Sequence, residues 1–553
     1  MTILTFIGSI GLLIFALRIT SESLQKIAGD RLRHAQGHME GNLTKAMFAG
    51  LGVTAFVQSS LVTTLMAVSF VSSGIITLAQ SMAVIMGANI GTTITAWIIA
   101  LAGFKYDFIV CAFPLIALAL PLIRSHKSTS GSWGELLIGS ALLLISIQSL
   151  QITSASLCLA TGVIPLTIGI GGMSLALIAG LLLAALLHTS AIAVVGAMLL
   201  CSQGVVSFTL ACAVIIGANI GTCIPSLIAS RRGNAMARQA ALAHLLFNII
   251  GMVWALACLP LTEHILTSVC QAMGVLSVTL PSESAIGLAL FHTLFNVITM
   301  LLLLPLSKPL VKLVTHIISD KPLPDDTAFS TKHLEANLLP TSGEMALVQV
   351  QKETSRYAAD VYKMFELVKE MLNEPMGSQR QITLEERVRQ MEEASDNAEL
   401  QIAQFLNHIT PQTLSMSGEQ LCRGLYKVVD ELESIADALY HCSSTLIQKS
   451  EQRQRFTPQM NEQLQHMISL IDAALQHMTH VLSLDEVPSN ALDRAYNYED
   501  EINNLRNQIR NQMLDAMERK EIEFQQQAYF TTLINECEKI GDHVINVIAA
   551  YNI

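Results

Sequence analysis

The stretches AVIMGANIGTTI (83–94) and AVIIGANIGTCI (213–224) differ at two of twelve positions. They sit inside a longer self-match in which 48–98 aligns without a gap on 178–228, at an offset of 130, with 19 of 51 positions identical. A repeat of that length governs how the rest of the chain is read, because each copy must fold as one unit of a larger pair. Upstream in each copy, the triplet Gln58-Ser59-Ser60 falls on His188-Thr189-Ser190. Further upstream, ITSESL (19–24) matches ITSASL (152–157) at an offset of 133, so each copy begins with a helix of its own.

Both copies lie in apolar surroundings. Of 553 residues, 51% are hydrophobic, 14% charged and 5% aromatic, against about 25% charged in an ordinary soluble domain. The charges are unevenly placed: 1–318 carries 13 Lys and Arg with 7 Asp and Glu, a net +6, whereas the rest carries 20 and 37, a net −17. That division predicts a membrane domain followed by an acidic, soluble one. An acidic tail without a basic stripe excludes nucleic acid as a partner. The ten cysteines are scattered, with no CxxC pair, and read as small apolar side chains. The run 3–17 lacks a basic leader and a small-residue cleavage site, so it reads as a first span kept in the mature chain. No Walker loop, nucleotide fingerprint or GxSxG elbow occurs, which argues against an enzyme and against ATP-driven transport.

Apolar stretches fall near 3–17, 46–72, 78–103, 108–123, 135–160, 175–200, 208–228, 238–260 and 284–306. A hydrocarbon core takes about 20 helical residues, which leaves the first and fourth short. Arg18, Lys26, Arg31, Arg33 and Lys45 precede the repeat match of copy 1 and are placed in the cytoplasm by the positive-inside tendency, whereas 161–174, before copy 2, carries no charge. If 46–72 and 175–200 are re-entrant hairpins that return to their own side, then Arg124, Lys127, Arg231, Arg232, Arg238, Lys308 and Lys312 become cytoplasmic, and so does the tail. Read as full spans, the same segments would put Arg124 and Lys127 outside while Lys105 faced inward. The hairpin reading inverts one copy relative to the other, an arrangement of secondary transporters that places substrate at the repeat interface. The expected fold is all-α: a polytopic membrane protein over 1–310 with inverted repeats (about 3–123 and 135–260), seven crossings and two re-entrant hairpins. A linker over 311–343, with its Pro and Asp residues between Ile318 and Gly343, and a soluble helical domain over 344–553 follow. In the tail, LESIADAL (432–439) recurs as CEKIGDHV (537–544) at an offset of 105, which predicts two helical bundles.

Gln58, Ser59 and Ser60 stand in the middle of an apolar run, where an unsatisfied hydroxyl or amide costs several kcal/mol. Hydroxyls that bond back to helical carbonyls would account for one such triplet. Its recurrence as His188, Thr189 and Ser190 points instead to broken helices whose tips meet an ion. Hydroxyl and carbonyl oxygens suit Na⁺, while hydroxyl hydrogens, amide N–H groups and helix N-termini suit an anion. In GANIGT, Asn89 and Asn219 are ligands or hairpin braces, with Thr92, Thr93 and Thr222 beside them; Cys223 replaces Thr93 in the second copy. AHLLFN (243–248) and FHTLFN (291–296) each place a His four residues before an Asn on one helix face, and His244 and His292 read as braces. Glu433 with Asp437, and Glu538 with Asp542, stand four apart and read either as metal-holding pairs or as a solvated acidic face.

With these residues in view, 1–310 resembles the bacterial relatives of the type II sodium/phosphate cotransporters, on the duplicated QSS-like triplets, GANIGTT, GANIGTC, AHLLFN and FHTLFN. The tail, through DELESIAD (430–437) and NECEKIGD (535–542), resembles PhoU, a helical regulator of phosphate uptake. The two parts together resemble bacterial fusions of this family. The resemblance implies inorganic phosphate as substrate, Na⁺ as coupling ion, and a site between the hairpin tips lined by Gln58, Ser59, Ser60, Thr189 and Ser190. It also implies metal ions at the acidic pairs of a PhoU-like tail and contact with phosphate-regulatory proteins. The sequence departs from the family's QSSS pattern at Leu61 and at His188, which leaves Na⁺ and H⁺ both open as coupling ion. The expectation is a multi-pass transporter in the lipid of a bacterial inner membrane, with a cytoplasmic tail. Its rivals are a carrier of another small oxyanion, an H⁺-coupled carrier and a non-transporting phosphate sensor.

Overall fold

In the computed structural model the first copy is built of α1 (Thr2–Met39), α2 (Leu43–Val57), α3 (Ser60–Ser72), α4 (Leu78–Ile99) and α5 (Ala112–Ile123). The second comprises α6 (Ser128–Thr161), α7 (Ile170–Leu187), α8 (Ala191–Ser202), α9 (Phe208–Gly221), α10 (Cys223–Ser230) and α11 (Ala235–Ala257). Then come α12 (Leu259–Ala272), α13 (Ser284–Leu303) and α14 (Ser307–Ile317). The structure describes every residue except 1, 40–41, 102–108, 125–127, 162–168, 232, 273–282, 320–328, 330–333, 335–342, 410–413, 485–486, 520–521 and 553, and among those described no strand occurs. Lys105, Lys127, Arg232 and most of the expected linker therefore lie outside the described residues.

Several helix starts carry side-chain caps. Asn42 accepts from the Lys45 N–H at 2.9 Å, Ser207 caps α9, Asn234 caps α11, and Thr77 forms a reciprocal capping box with Gln80 at α4. Among the described residues six stretches are long and apolar enough to cross a membrane: Thr2–Gly29, Leu78–Ile99, Ser130–Ser156, Phe208–Ser230, Ala235–Ala257 and Ser284–Leu303. The first is longer than its apolar run, because the helix continues to a kink at Gly29 (φ 34°). Of the remaining expected crossing, 108–123, the described residues form the shorter helical stretch Ile109–Ile123. α14 runs to Ile317, with Leu310 and Val314, four apart, buried on one face.

One difference between the copies has a local cause. Copy 1 runs unbroken through α4, whereas copy 2 breaks at Thr222 into α9 and α10. Pro225 stands where copy 1 has Thr95, and a proline can give no N–H to the carbonyl four residues back, here Gly221.

The packing of the two copies matches residue for residue. A Cβ added to Gly50 would overlap the Val84 carbonyl, and one added to Gly87 the Met47 carbonyl; at the offset of 130, Gly180 meets Val214 and Gly217 meets Leu177 in the same way. α2 therefore lies backbone to backbone on α4, and α7 on α9.

The chain divides into two compact units, the first holding Met1–Lys321 with Asn337–Met345 and Pro411–Met416, the second the remainder. The helices of the tail are α15 (Gly343–Asn373), α16 (Gln379–His408), α17 (Met416–Glu451), α18 (Pro458–Ser483), α19 (Ala491–Glu518) and α20 (Phe524–Tyr551). The motif helices α17 and α20 lie antiparallel, with His543 Nδ1 at 2.7 Å and Asn546 Nδ2 at 3.1 Å from Glu431 Oε2. Cys442 and Cys537 meet further along the same seam.

Candidate functional site: two hairpin tips and their braces

α2 ends at Gln58 (φ 58°) and α7 at His188 (φ 57°), both in the left-handed region that bulky side chains rarely adopt. Two such residues at matched positions mark the two breaks as built features. At the first break the Thr54 and Thr63 hydroxyls, nine residues apart, bond at 2.7 Å, so α3 folds back on α2. At the second, Ala184 and Ala193 pack together with Ala218 in the same places. A helical hairpin with its tip at the polar triplet is thus formed twice.

Ser59 Oγ accepts from the Val62 N–H at 3.4 Å and caps α3. Ser60 opens that helix, half-buried. In copy 2, Thr189 Oγ1 accepts from the Ala191 N–H at 3.2 Å, and Ser190 is buried. The first tip carries ties that sequence reasoning missed. Thr95 Oγ1 donates to Gln58 Oε1 at 2.7 Å, Gln58 Nε2 donates to the Ala55 carbonyl, and Ser21 Oγ donates to the Val57 carbonyl at 2.9 Å. Among the described residues no hydrogen bond joins one tip to the other.

Asn89 and Asn219 are buried and engaged. Asn219 Nδ2 donates to Asn296 Oδ1 at 2.9 Å while His292 Nε2 lies 3.2 Å from Asn219 Oδ1. Asn89 Nδ2 reaches Asn248 Oδ1 at 3.4 Å, and Asn248 Nδ2 lies 3.2 Å from Cys223 Sγ and 3.1 Å from the His244 carbonyl. The motif helices α11 and α13 thereby hold the GANIGT helices through amide pairs. Thr92, Thr93 and Thr222 hydroxyls bond to carbonyls three residues back, at 2.6, 2.7 and 2.7 Å. The geometry thus sorts the sequence candidates into tip residues (Gln58, Ser59, Ser60, His188, Thr189, Ser190) and bracing residues (Asn89, Asn219 and the threonines). Asn248 and Asn296, the partners of the braces, were visible in the sequence only as an echoed motif.

Two of the four tail carboxylates, Glu538 and Asp437, have other partners. Arg506 pairs with Glu538, and His441 Nε2 lies 3.4 Å from Asp437. Burial pushes Glu433 up, and Asp396, Asp437 and Glu399 push it further. Among the described residues no group of three or more His, Cys, Asp or Glu could hold a metal ion, so this donor set does not fit the metal that the resemblance implies.

The family description Na⁺/Pi-cotransporter matches residues 12–151. YjbB of Escherichia coli (strain K12), whose name proposes it as an inorganic phosphate export protein, is 27% identical over 452 residues, covering 81% of this chain and 79% of that one. The protein YqeW of Bacillus subtilis (strain 168), whose name assigns no function, is 29% identical over 278 residues, 50% of this chain and 85% of that one. Sodium-dependent phosphate transport protein 2A of Rattus norvegicus is 36% identical over 108 residues, 18% of this chain and 17% of that one. No solved structure matches.

Proposed function

We propose that the chain transports inorganic phosphate coupled to Na⁺ across a bacterial inner membrane, by alternating access around a site between the two hairpin tips. In this reading the hairpins are re-entrant, the copies are inverted, and the tail is a PhoU-like cytoplasmic domain that regulates flux and contacts phosphate-regulatory proteins. The duplicated polar break carries the proposal. Each tip presents two helix ends: the carbonyl end of α2 or α7 suits Na⁺, and the amide end of α3 or α8 suits an oxyanion. No Lys or Arg lies on α3, α4, α7, α8, α9 or α10, so the anion is held by hydroxyls and amides. That absence disfavours a dicarboxylate, which calls for a bidentate arginine. The names of YjbB and of the rat protein support phosphate, and the latter supports sodium. Whether net flow is uptake or export follows from the gradients.

The test is labelled phosphate uptake into proteoliposomes under an inward gradient of Na⁺, of K⁺ or of protons. Accumulation that requires Na⁺, and that falls at least about tenfold in Ser60→Ala and Ser190→Ala through loss of a hydrogen bond to a charged substrate, is the expected result. Binding without flux under any gradient would replace the transporter with a sensor.

A further inference from the structure

Besides the latch of Gln58 by Thr95, the first tip has a tie from outside its hairpin. ITSESL (19–24), which opens the first copy, puts Ser21 there: its hydroxyl donates to the Val57 carbonyl at 2.9 Å, one residue before the break. Gln25 Nε2 in turn donates to Ser21 Oγ at 3.3 Å, and both side chains are buried. Ser21, Gln25 and Gly29 follow at intervals of four and share one face of α1 up to its kink. At the offset of 133 Ser21 becomes Ser154, whose hydroxyl donates to the Gln151 carbonyl at 3.1 Å and accepts from Gln203 Nε2 at 2.7 Å. Gln203 lies just past the end of α8, so the equivalent serine of copy 2 ties the far end of its hairpin and not the tip.

At the kink α1 meets Ser415, the residue before α17. Gly29 takes φ 34° and ψ −112°, a backbone open to glycine, and a Cβ placed there would stand 3.0 Å from Ser415 Cβ and 3.1 Å from its Oγ. The missing side chain thus permits the bend and leaves a seat for Ser415. Glu344, buried in the first turn of α15, holds Ser415 in place, its Oε1 accepting the Ser415 N–H at 2.6 Å. The first unit contains Asn337–Met345 and Pro411–Met416 as well as α1, so α15 and α17 each begin within it and continue into the second. A displacement of either helix therefore acts on one partner of this clasp.

Resting on the phosphate-transporter reading above, in which the tail regulates flux, we propose that Ser415 seated on the Gly29 kink is the contact through which it does so. With Ser415 seated, α1 is fixed at its bend and Ser21 holds the Val57 carbonyl, so the first tip is restrained. Alternating access moves one repeat against the other around the site, a movement that a tie between α1 and the tip opposes. When a change in the tail draws α15 or α17 away, Ser415 leaves its seat. Gly29 can then change its backbone without steric cost, and the hold of Ser21 on the tip loosens. The seated state is the one of low flux.

The experiment compares full-length wild type with Ser415→Gly, Glu344→Ala, Ser21→Ala and the double variant of Ser21→Ala with Glu344→Ala. It reads labelled phosphate uptake in proteoliposomes under a constant Na⁺ gradient, and amide hydrogen exchange in detergent. Release of a clasp worth one hydrogen bond should raise uptake in each single variant by up to about tenfold. The double variant should rise no further than Ser21→Ala alone, because both changes act on one line. Exchange should quicken at 54–63 and stay unchanged at 184–193. Damage to the fold would instead lower uptake and quicken exchange at both tips; that result, or uptake unchanged in all three single variants, overturns the proposal and leaves the transporter reading standing. A wild type that moves no phosphate under any gradient overturns the transporter reading, and exchange at the first tip then decides the clasp alone: if it is unchanged in Ser415→Gly and Glu344→Ala, the clasp falls as well.

Discussion

Asn219 is committed at both ends of its amide: Nδ2 donates to Asn296 at 2.9 Å, and Oδ1 faces His292 Nε2 at 3.2 Å. Asn219→Ala strands two buried polar partners, and each uncompensated group costs about 1–3 kcal/mol. Asn89 makes one longer contact, 3.4 Å to Asn248, so Asn89→Ala should cost less. Thermal melts of the two variants in detergent check the order; equal losses would mean that the amide pairs are not what holds the GANIGT helices. The residue scale also shows what a repeat makes legible. Asn89 and Asn219 stand out because they are identical, and the triplets because they are equivalent. Thr95, the latch of the first tip, is invisible to the same comparison because Pro225 replaces it.

Among the elements, the hairpins depend on contacts between backbones. Gly217 faces the Leu177 carbonyl so closely that a methyl overlaps it, whereas nothing lies within 4 Å of a Cβ placed on Gly196. Gly217→Ala must push α7 off α9, and overpacking of this kind costs about 1–3 kcal/mol or more; Gly196→Ala meets open space and gains helix propensity. Size-exclusion profiles after membrane extraction should show loss of the monodisperse species for the first and a normal peak for the second. A normal peak for Gly217→Ala would show that the close approach is dispensable. The fold-back at each tip was legible only through the duplication, since a single Gln or His does not by itself call for left-handed backbone. The break at Pro225 has a local cause, but the repeat match runs straight across it and conceals it.

For the whole molecule, the division of charge near residue 318 was the plainest signal, and the acidic tail turns it into a dependence on pH. Burial, partly offset by Arg356 and reinforced by Asp360, pushes the Glu353 carboxyl up to about 7. An unfolded glutamate titrates near about 4.3, so between that value and about 7 the unfolded chain releases a proton that the folded tail keeps. Stability therefore falls as pH rises through this window and stays at the lower level above it, by at most about 4 kcal/mol. Glu392, Glu399, Glu433 and Glu499 are raised in the same direction, each by burial first and then by neighbouring carboxylates, and they add to the slope. Glu353→Gln replaces this buried carboxyl with a neutral group of similar shape. Amide protection factors along α15 in the full-length protein should then fall between pH 5.5 and pH 8 more steeply in the wild type than in Glu353→Gln. Equal declines in both would move the origin of the pH dependence to the exposed acidic faces of α16 and α17, where added salt would screen it.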